Sequence, residues 1–129
     1  ETWRAMEELQ KEGKIRGLGL SNFLPHHIKN ILENGTVKPV VNQLELHPGY
    51  MQQAAVQYCK EHGIQMQAWS PIGRRRILED GLILELAGKY QVSPAQLCLR
   101  FLLQRLATMP QAGWSGELPD PELAQKNVV

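Results

Sequence analysis

Ile15-Arg16-Gly17-Leu18-Gly19-Leu20, running into Ser21-Asn22-Phe23 and then Pro25, decides how this 129-residue chain folds. Apolar side chains alternate with small or polar ones, which predicts a strand, and the two glycines allow close backbone approach. Pro25 suits the first turn of a helix. Ile28, Ile31 and Leu32 then repeat at helical spacing until Asn34-Gly35 closes the segment. A strand therefore hands over to a helix within a few residues.

The same alternation continues outward. Upstream, Trp3 to Glu12 predicts a helix with Trp3, Met6 and Leu9 on one stripe, Glu7 and Lys11 paired on the outside, and Gly13 as its stop. Downstream, Pro39-Val40-Val41-Asn42-Gln43-Leu44 reads as a second strand. A helix from Gln52 to Glu61 turns Val56 and Cys59 inward and stops at Gly63, and Ile64 to Trp69 forms a third strand. Leu82 to Tyr90 is a short helix. Ser93, Pro94 and Gln96 make a capping box, with Leu97, Phe101 and Leu102 as the buried stripe behind it. Leu106 to Met109 reads as a fourth strand, and Glu122 to Val129 as a last helix that is cut short.

Strands alternating with helices mean an α/β fold with parallel strands and crossover helices. A closed (β/α)8 barrel and an open doubly wound sheet both fit. The GxGxxG dinucleotide fingerprint is absent, and Gly17-Leu18-Gly19 lies within a strand instead of opening a helix. Composition is that of a globular chain, 43% hydrophobic and 21% charged. Fourteen basic residues against thirteen acidic give a net charge of +1, which argues against nucleic acid as a partner. No apolar run approaches the ~18 residues of a membrane span. The start, Glu1-Thr2-Trp3-Arg4, is no signal peptide. Cys59 and Cys98 are too far apart for a local ligand pair, so neither a metal site nor a disulfide scaffold is expected, and a reduced cytoplasmic protein is.

In a parallel barrel, ligands meet the carboxyl ends of the strands. Three such ends are polar: Ser21-Asn22, Asn42-Gln43 with Glu45 and His47, and Trp69-Ser70. Taken singly, each has an ordinary reading. Ser21-Asn22 is turn chemistry, Gln43 satisfies a backbone group, Trp69 packs in the core, His47-Pro48 is a loop wedge, His26-His27 is solvent-exposed, and Arg74 to Arg76 is a solvated loop. Jointly, they outline a pocket mouth lined with amides and hydroxyls, groups that orient a ligand better than they move protons.

Those blocks carry a resemblance. Gly17-Leu18-Gly19-Leu20-Ser21-Asn22-Phe23, Val41-Asn42-Gln43-Leu44-Glu45-Leu46-His47-Pro48 and Ala68-Trp69-Ser70-Pro71-Ile72-Gly73 resemble, in order and spacing, the carboxyl-terminal half of an aldo-keto reductase. Ser93 to Gln104 also fits. The resemblance implies one domain over residues 1–129, a partial (β/α)8 barrel of about four parallel strands, with a divergent tail at 106–129. It implies an NADPH or NADH cofactor and a small aldehyde or ketone substrate reduced to an alcohol. Ser21, Asn22 and Gln43 would hold the nicotinamide carboxamide, and Trp69 would stack on its ring. Ser70, the Ile72 backbone and Arg74 would meet the pyrophosphate, and Asn127 the adenine.

The resemblance also exposes departures. The family's Asp, Tyr, Lys and His tetrad belongs to the first half of the barrel, and Tyr50, Tyr58 and Tyr90 match none of its positions. No catalytic residue is therefore assigned. Missing the proton donor costs a factor on the order of 10²–10⁴, so the chain alone is expected to be inactive, a fragment or incomplete gene product. The competing expectation is a half-barrel scaffold or cofactor-binding subunit without chemistry. Open sheet edges offer a route to self-association. Near the end, Gln111 and Ala112 stand where the family has Lys and Ser, and Leu123 where it has Arg. Those cations grip the 2′-phosphate, so NADPH preference is expected to be weak.

Overall fold

The computed structural model describes residues 1–106. Its elements are α1 (Thr2–Lys11), β1 (Gly19–Ser21), α2 (Pro25–Asn34), β2 (Val41–Glu45), α3 (Gln53–Glu61), β3 (Gln65–Trp69), a 3₁₀ segment (Gly73–Glu79), α4 (Gly81–Tyr90) and α5 (Pro94–Leu106). The three strands form one parallel sheet in the order β1-β2-β3. The expected fourth strand falls mostly outside the described residues. Leu106, its first member, ends α5 instead.

β1 is shorter than the sequence suggests. Gly19 pairs with Val41 in register, which sets Gly17 opposite Pro39. Proline has no N–H to give to a ladder, so beyond the bond from Val40 N to Leu18 O at 2.8 Å the regular pairing stops, and the lead-in from Ile15 stays irregular. For the same reason β2 starts at Val41 and not at Pro39. Gly19 is needed where it stands: a Cβ there would sit 2.6 Å from Val41 Cγ1, whereas one at Gly17 would meet Val40 Cγ2 at an ordinary 3.4 Å.

Successive strand residues face opposite sides. Leu20, Asn42, Leu44 and Met66 turn toward the helices and are buried with Ile28 of α2 and with Ala55 and Cys59 of α3. Ser21, Val41, Gln43, Glu45, Gln67 and Trp69 occupy the other face and are half-buried or exposed.

The helix ends follow local chemistry. Ser93 Oγ accepts from Gln96 N at 3.1 Å and Gln96 Oε1 from Ser93 N at 2.8 Å, the capping box the sequence predicts. Asp80 Oδ1 accepts from Leu82 N and Ile83 N at the start of α4. His27 is exposed, as expected, and its Nδ1 accepts from Leu24 N at the head of α2.

Two expectations for α1 fail. Leu9 is exposed, and Glu7, expected outside and paired with Lys11, is buried. Glu7 lies four residues after Trp3, on the same face. Its Oε1 accepts from Thr36 N at 2.6 Å and Val37 N at 2.8 Å, while Trp3 Nε1 donates to Val37 O at 3.3 Å. Two backbone N–H groups compensate the buried carboxylate better than a surface lysine would.

Candidate functional site

The site grows from the register of the sheet. Ser21 pairs with Gln43, and Gln43 with Gln67, so three polar side chains stand abreast near the carboxyl ends. Glu45 and Trp69 form the next row outward. Gln67 escaped the sequence reading, although its place in Gln65-Met66-Gln67 already alternates polar with buried.

Asn22 ties the row together. It follows β1 in a left-handed conformation, φ 59°, which Asn tolerates better than most residues. Its backbone N–H donates to Gln43 O at 2.8 Å. Its Oδ1 accepts from Trp69 Nε1 at 2.9 Å, and its Nδ2 donates to Ser21 Oγ at 3.3 Å. Ser21, Asn22, Gln43 and Trp69, singled out jointly through the family resemblance, thus lie together at the ends of three strands. Trp69 is half-buried and directed by a hydrogen bond, unlike a core tryptophan.

Asn42 does not join them. It faces the helices, fully buried, where Nδ2 donates to Phe23 O at 2.9 Å and lies 3.6 Å from Cys59 Sγ. Its Oδ1 accepts from Phe23 N at 3.4 Å. Its role is to stitch β2 to the turn after β1. Burial pushes the Cys59 thiol up, opposed by the Asn42 contact.

Beyond Trp69 the chain takes an unusual course. Ser70, Gly73, Arg74 and Arg75 all have positive φ, at 53°, 55°, 52° and 72°. For the arginines this backbone costs on the order of 1–2 kcal/mol each. It brings the Arg74 guanidinium over the Trp69 indole, 5.9 Å from the ring centroid. Ser70 O accepts from Gly73 N, and Ile72 O from Arg75 N, so both expected pyrophosphate residues help to hold the turn. Asn127 lies outside the described residues.

This turn walls one side of an open cleft of about 760 Å³. Arg74, Arg76, Glu79 and Asp80 line it together with Glu45 and His47. Arg74 and Glu45 connect cleft and strand ends, since one covers Trp69 and the other is its register partner. His47 closes a tight turn with Tyr50 through two backbone bonds, which suits its reading as a wedge. Its Nε2 is 3.9 Å from Glu45 Oε1, and its buried Nδ1 has no hydrogen-bond partner among the described residues.

Known proteins resemble this chain in sequence and fold. The model of the Aldo/keto reductase family matches residues 1–120. The chain is 43% identical over 113 residues to glyoxal reductase of Bacillus subtilis, covering 87% of the chain and 41% of that protein. It is 38% identical over 115 residues to methylglyoxal reductase DkgA of Escherichia coli, covering 87% and 42%. The crystal structure of apo Gox0644 superposes with a TM-score of 0.77 at 41% identity, over 81% of this chain and 39% of that one. A mutant of the same protein in complex with NADPH gives the same figures. An aldo/keto reductase from Brucella melitensis superposes at 0.77 with 37% identity, over 82% and 40%. The chain thus spans about two fifths of the length of the curated relatives it matches, at 41% and 42%. These neighbours are (β/α)8 barrels, and the described residues form a part of one with three parallel strands.

Proposed function

The chain belongs to the aldo/keto reductase family, and from that premise we propose that it is the cofactor-orienting part of an NAD(P)H-dependent reductase of aldehydes or ketones. The observation that carries this reading is the Asn22–Trp69 hydrogen bond, which gathers an amide, a hydroxyl and an aromatic platform beside Gln43 on one open sheet face. A planar ring bearing a carboxamide fits that donor set: a face to stack on, donors for its oxygen and an acceptor for its NH2.

Ser21, Asn22 and Gln43 hold the carboxamide, and Trp69 carries the ring. Arg74, with Ser70 and the Ile72 backbone, meets the pyrophosphate beside the cleft, and Asn127 the adenine. When bound, the dihydronicotinamide supplies a hydride to the carbonyl carbon. The residues of this chain fix which ring face is offered and keep that face beside the strand ends. The balancing proton comes from a tyrosine that the family carries elsewhere in the barrel, and Tyr50, Tyr58 and Tyr90 match no such position. The chain by itself therefore orients cofactor without turning over. The names of the relatives, glyoxal and methylglyoxal reductases among them, support a small carbonyl compound as substrate. The free, buried Cys59 and Cys98 suit a reducing compartment such as the cytoplasm.

The test supplies the missing part. The chain is refolded with the remaining segment of the Bacillus subtilis glyoxal reductase, and loss of reduced-nicotinamide absorbance is followed with methylglyoxal. Turnover is expected from the pair and not from this chain alone. Cofactor binding without turnover favours the scaffold reading, and no binding of either cofactor to the pair overturns the proposal. With Gln111, Ala112 and Leu123 replacing phosphate-gripping residues, two charged hydrogen bonds are lost. NADPH is then expected to bind on the order of a hundredfold more weakly than in relatives that keep them.

A further inference from the structure

We infer that Asn34 is a site of spontaneous deamidation, and that the contacts of α1 with the end of α2 hold it shut in the folded chain. No other asparagine in the sequence precedes a glycine. Glycine leaves its own nitrogen uncrowded and its backbone free to turn. In the reaction the Gly35 nitrogen bonds to Asn34 Cγ, the Cγ–Nδ2 bond breaks, and Nδ2 departs as ammonia with the Gly35 proton. Water then opens the resulting succinimide. Cleavage at the side-chain carbonyl leaves aspartate. Cleavage at the main-chain carbonyl leaves isoaspartate, whose backbone is one carbon longer. Water is the only other reactant consumed.

The fold opposes each requirement of that step. The attacking N–H is engaged, donating to Ile31 O at 2.8 Å. The leaving nitrogen is drawn the other way. Asn34 Nδ2 donates to Asn30 O at 3.0 Å and to Asn30 Oδ1 at 2.7 Å, one turn back along α2, the direction in which helical side chains lean. Asn34 is exposed, so water reaches it and the barrier is conformational. Gly35 has no space to turn: a Cβ on it would lie 2.7 Å from Ile31 O, 2.9 Å from Trp3 Nε1 and 3.1 Å from Glu7 Oε1. The next two N–H groups, of Thr36 and Val37, are held by Glu7. Freeing Gly35 therefore means parting α1 from residues 35–37. The same crowding makes modification act one way. The extra carbon of isoaspartate has no room there, and either product puts a carboxylate at the carboxyl end of a helix, where the macrodipole disfavours it.

The test incubates the full chain in mildly alkaline buffer, with and without urea, and follows Asn34 by site-resolved peptide mass spectrometry. Deamidation is expected in urea, and at least about tenfold more slowly in native buffer. Glu7→Ala removes the acceptor of both N–H groups and should raise the native rate by roughly 3–10-fold. Trp3→Phe keeps an aromatic ring but loses the bond to Val37 O, and should raise the rate less; it decides the matter if Glu7→Ala does not fold. Asn42→Ala is the comparison, because it loosens the contact of β2 with Phe23 and leaves α1 alone. It is expected to leave the Asn34 rate nearly unchanged. Native deamidation as fast as in urea, no acceleration in the α1 variants, or equal acceleration by Asn42→Ala overturns the guard. No reaction at Asn34 in urea overturns the site itself. The deamidated chain, separated by its added negative charge, should exchange its Val37 N–H faster than the parent, and unchanged exchange overturns the lasting effect.

Discussion

Glu7 on α1 accepts the backbone N–H of Val37 at 2.8 Å, across thirty positions of sequence. With the Thr36 N–H at 2.6 Å, that bond fastens the first helix to the segment entering β2. The Val37 N–H is the main influence holding this carboxyl below its usual 4.5, and burial opposes it.

A group whose folded pKa is depressed contributes stability above its unfolded pKa and loses it as the pH falls through the folded value. The melting temperature is therefore expected to fall as the pH drops below about 4.5. Glu7→Gln should flatten that part of the profile and lower the melting temperature at neutral pH. Thermal melts of both proteins between pH 7 and pH 3 check this, and an unchanged slope in the variant would contradict it.

Neighbouring amides in β2 should respond very differently. Asn42 is fully buried and bonds both backbone groups of Phe23. Asn42→Ala is expected to destabilise by about 1–3 kcal/mol, since it leaves those groups unpaired. Gln43→Ala, on the half-exposed face, should stay within about 0.5 kcal/mol. Urea denaturation of the two variants makes the comparison.

Two glycines should have opposite signs. A Cβ on Gly35 would lie 2.7 Å from Ile31 O and 2.9 Å from Trp3 Nε1, so Gly35→Ala is expected to cost about 1–3 kcal/mol. Gly88 sits inside α4 with nothing within 4 Å of the added carbon, and Gly88→Ala should stabilise by up to about 1 kcal/mol. Calorimetry that finds the same sign for both would overturn the account.

Cys59 and Cys98 are buried, and burial raises both thiol pKa values. Thiolate is the reactive form. In native buffer both should resist a thiol-reactive dye that labels them within minutes once urea is added. Fast native labelling of either would indicate that its helix opens readily.

Much of this architecture is written locally. Gly13 and Gly63 end their helices at φ 73° and 62°, and Ser93 caps α5, each through chemistry a few residues wide. The alternation in Val41 to Glu45 likewise separates Asn42 from Gln43. What escaped is non-local. Glu7 turns inward because of N–H groups some thirty residues away, and no periodicity in α1 reveals them. Arg74 and Arg75 adopt a backbone their side chains disfavour, so residue type misleads there. The meeting of Asn22 with Trp69 depends on a separation of 47 residues and a sheet register, which only the family resemblance could anticipate.

Asn22 and Phe23 are adjacent, yet side chains on opposite faces of the sheet grip them, Trp69 from one side and Asn42 from the other. The Asn22–Phe23 peptide unit therefore joins the packed interior to the open face of the sheet, beside the Asn42–Gln43 step that does the same within β2. Mutations near Cys59 should be felt at the strand tips through these two links, as a change in how well the pincer closes.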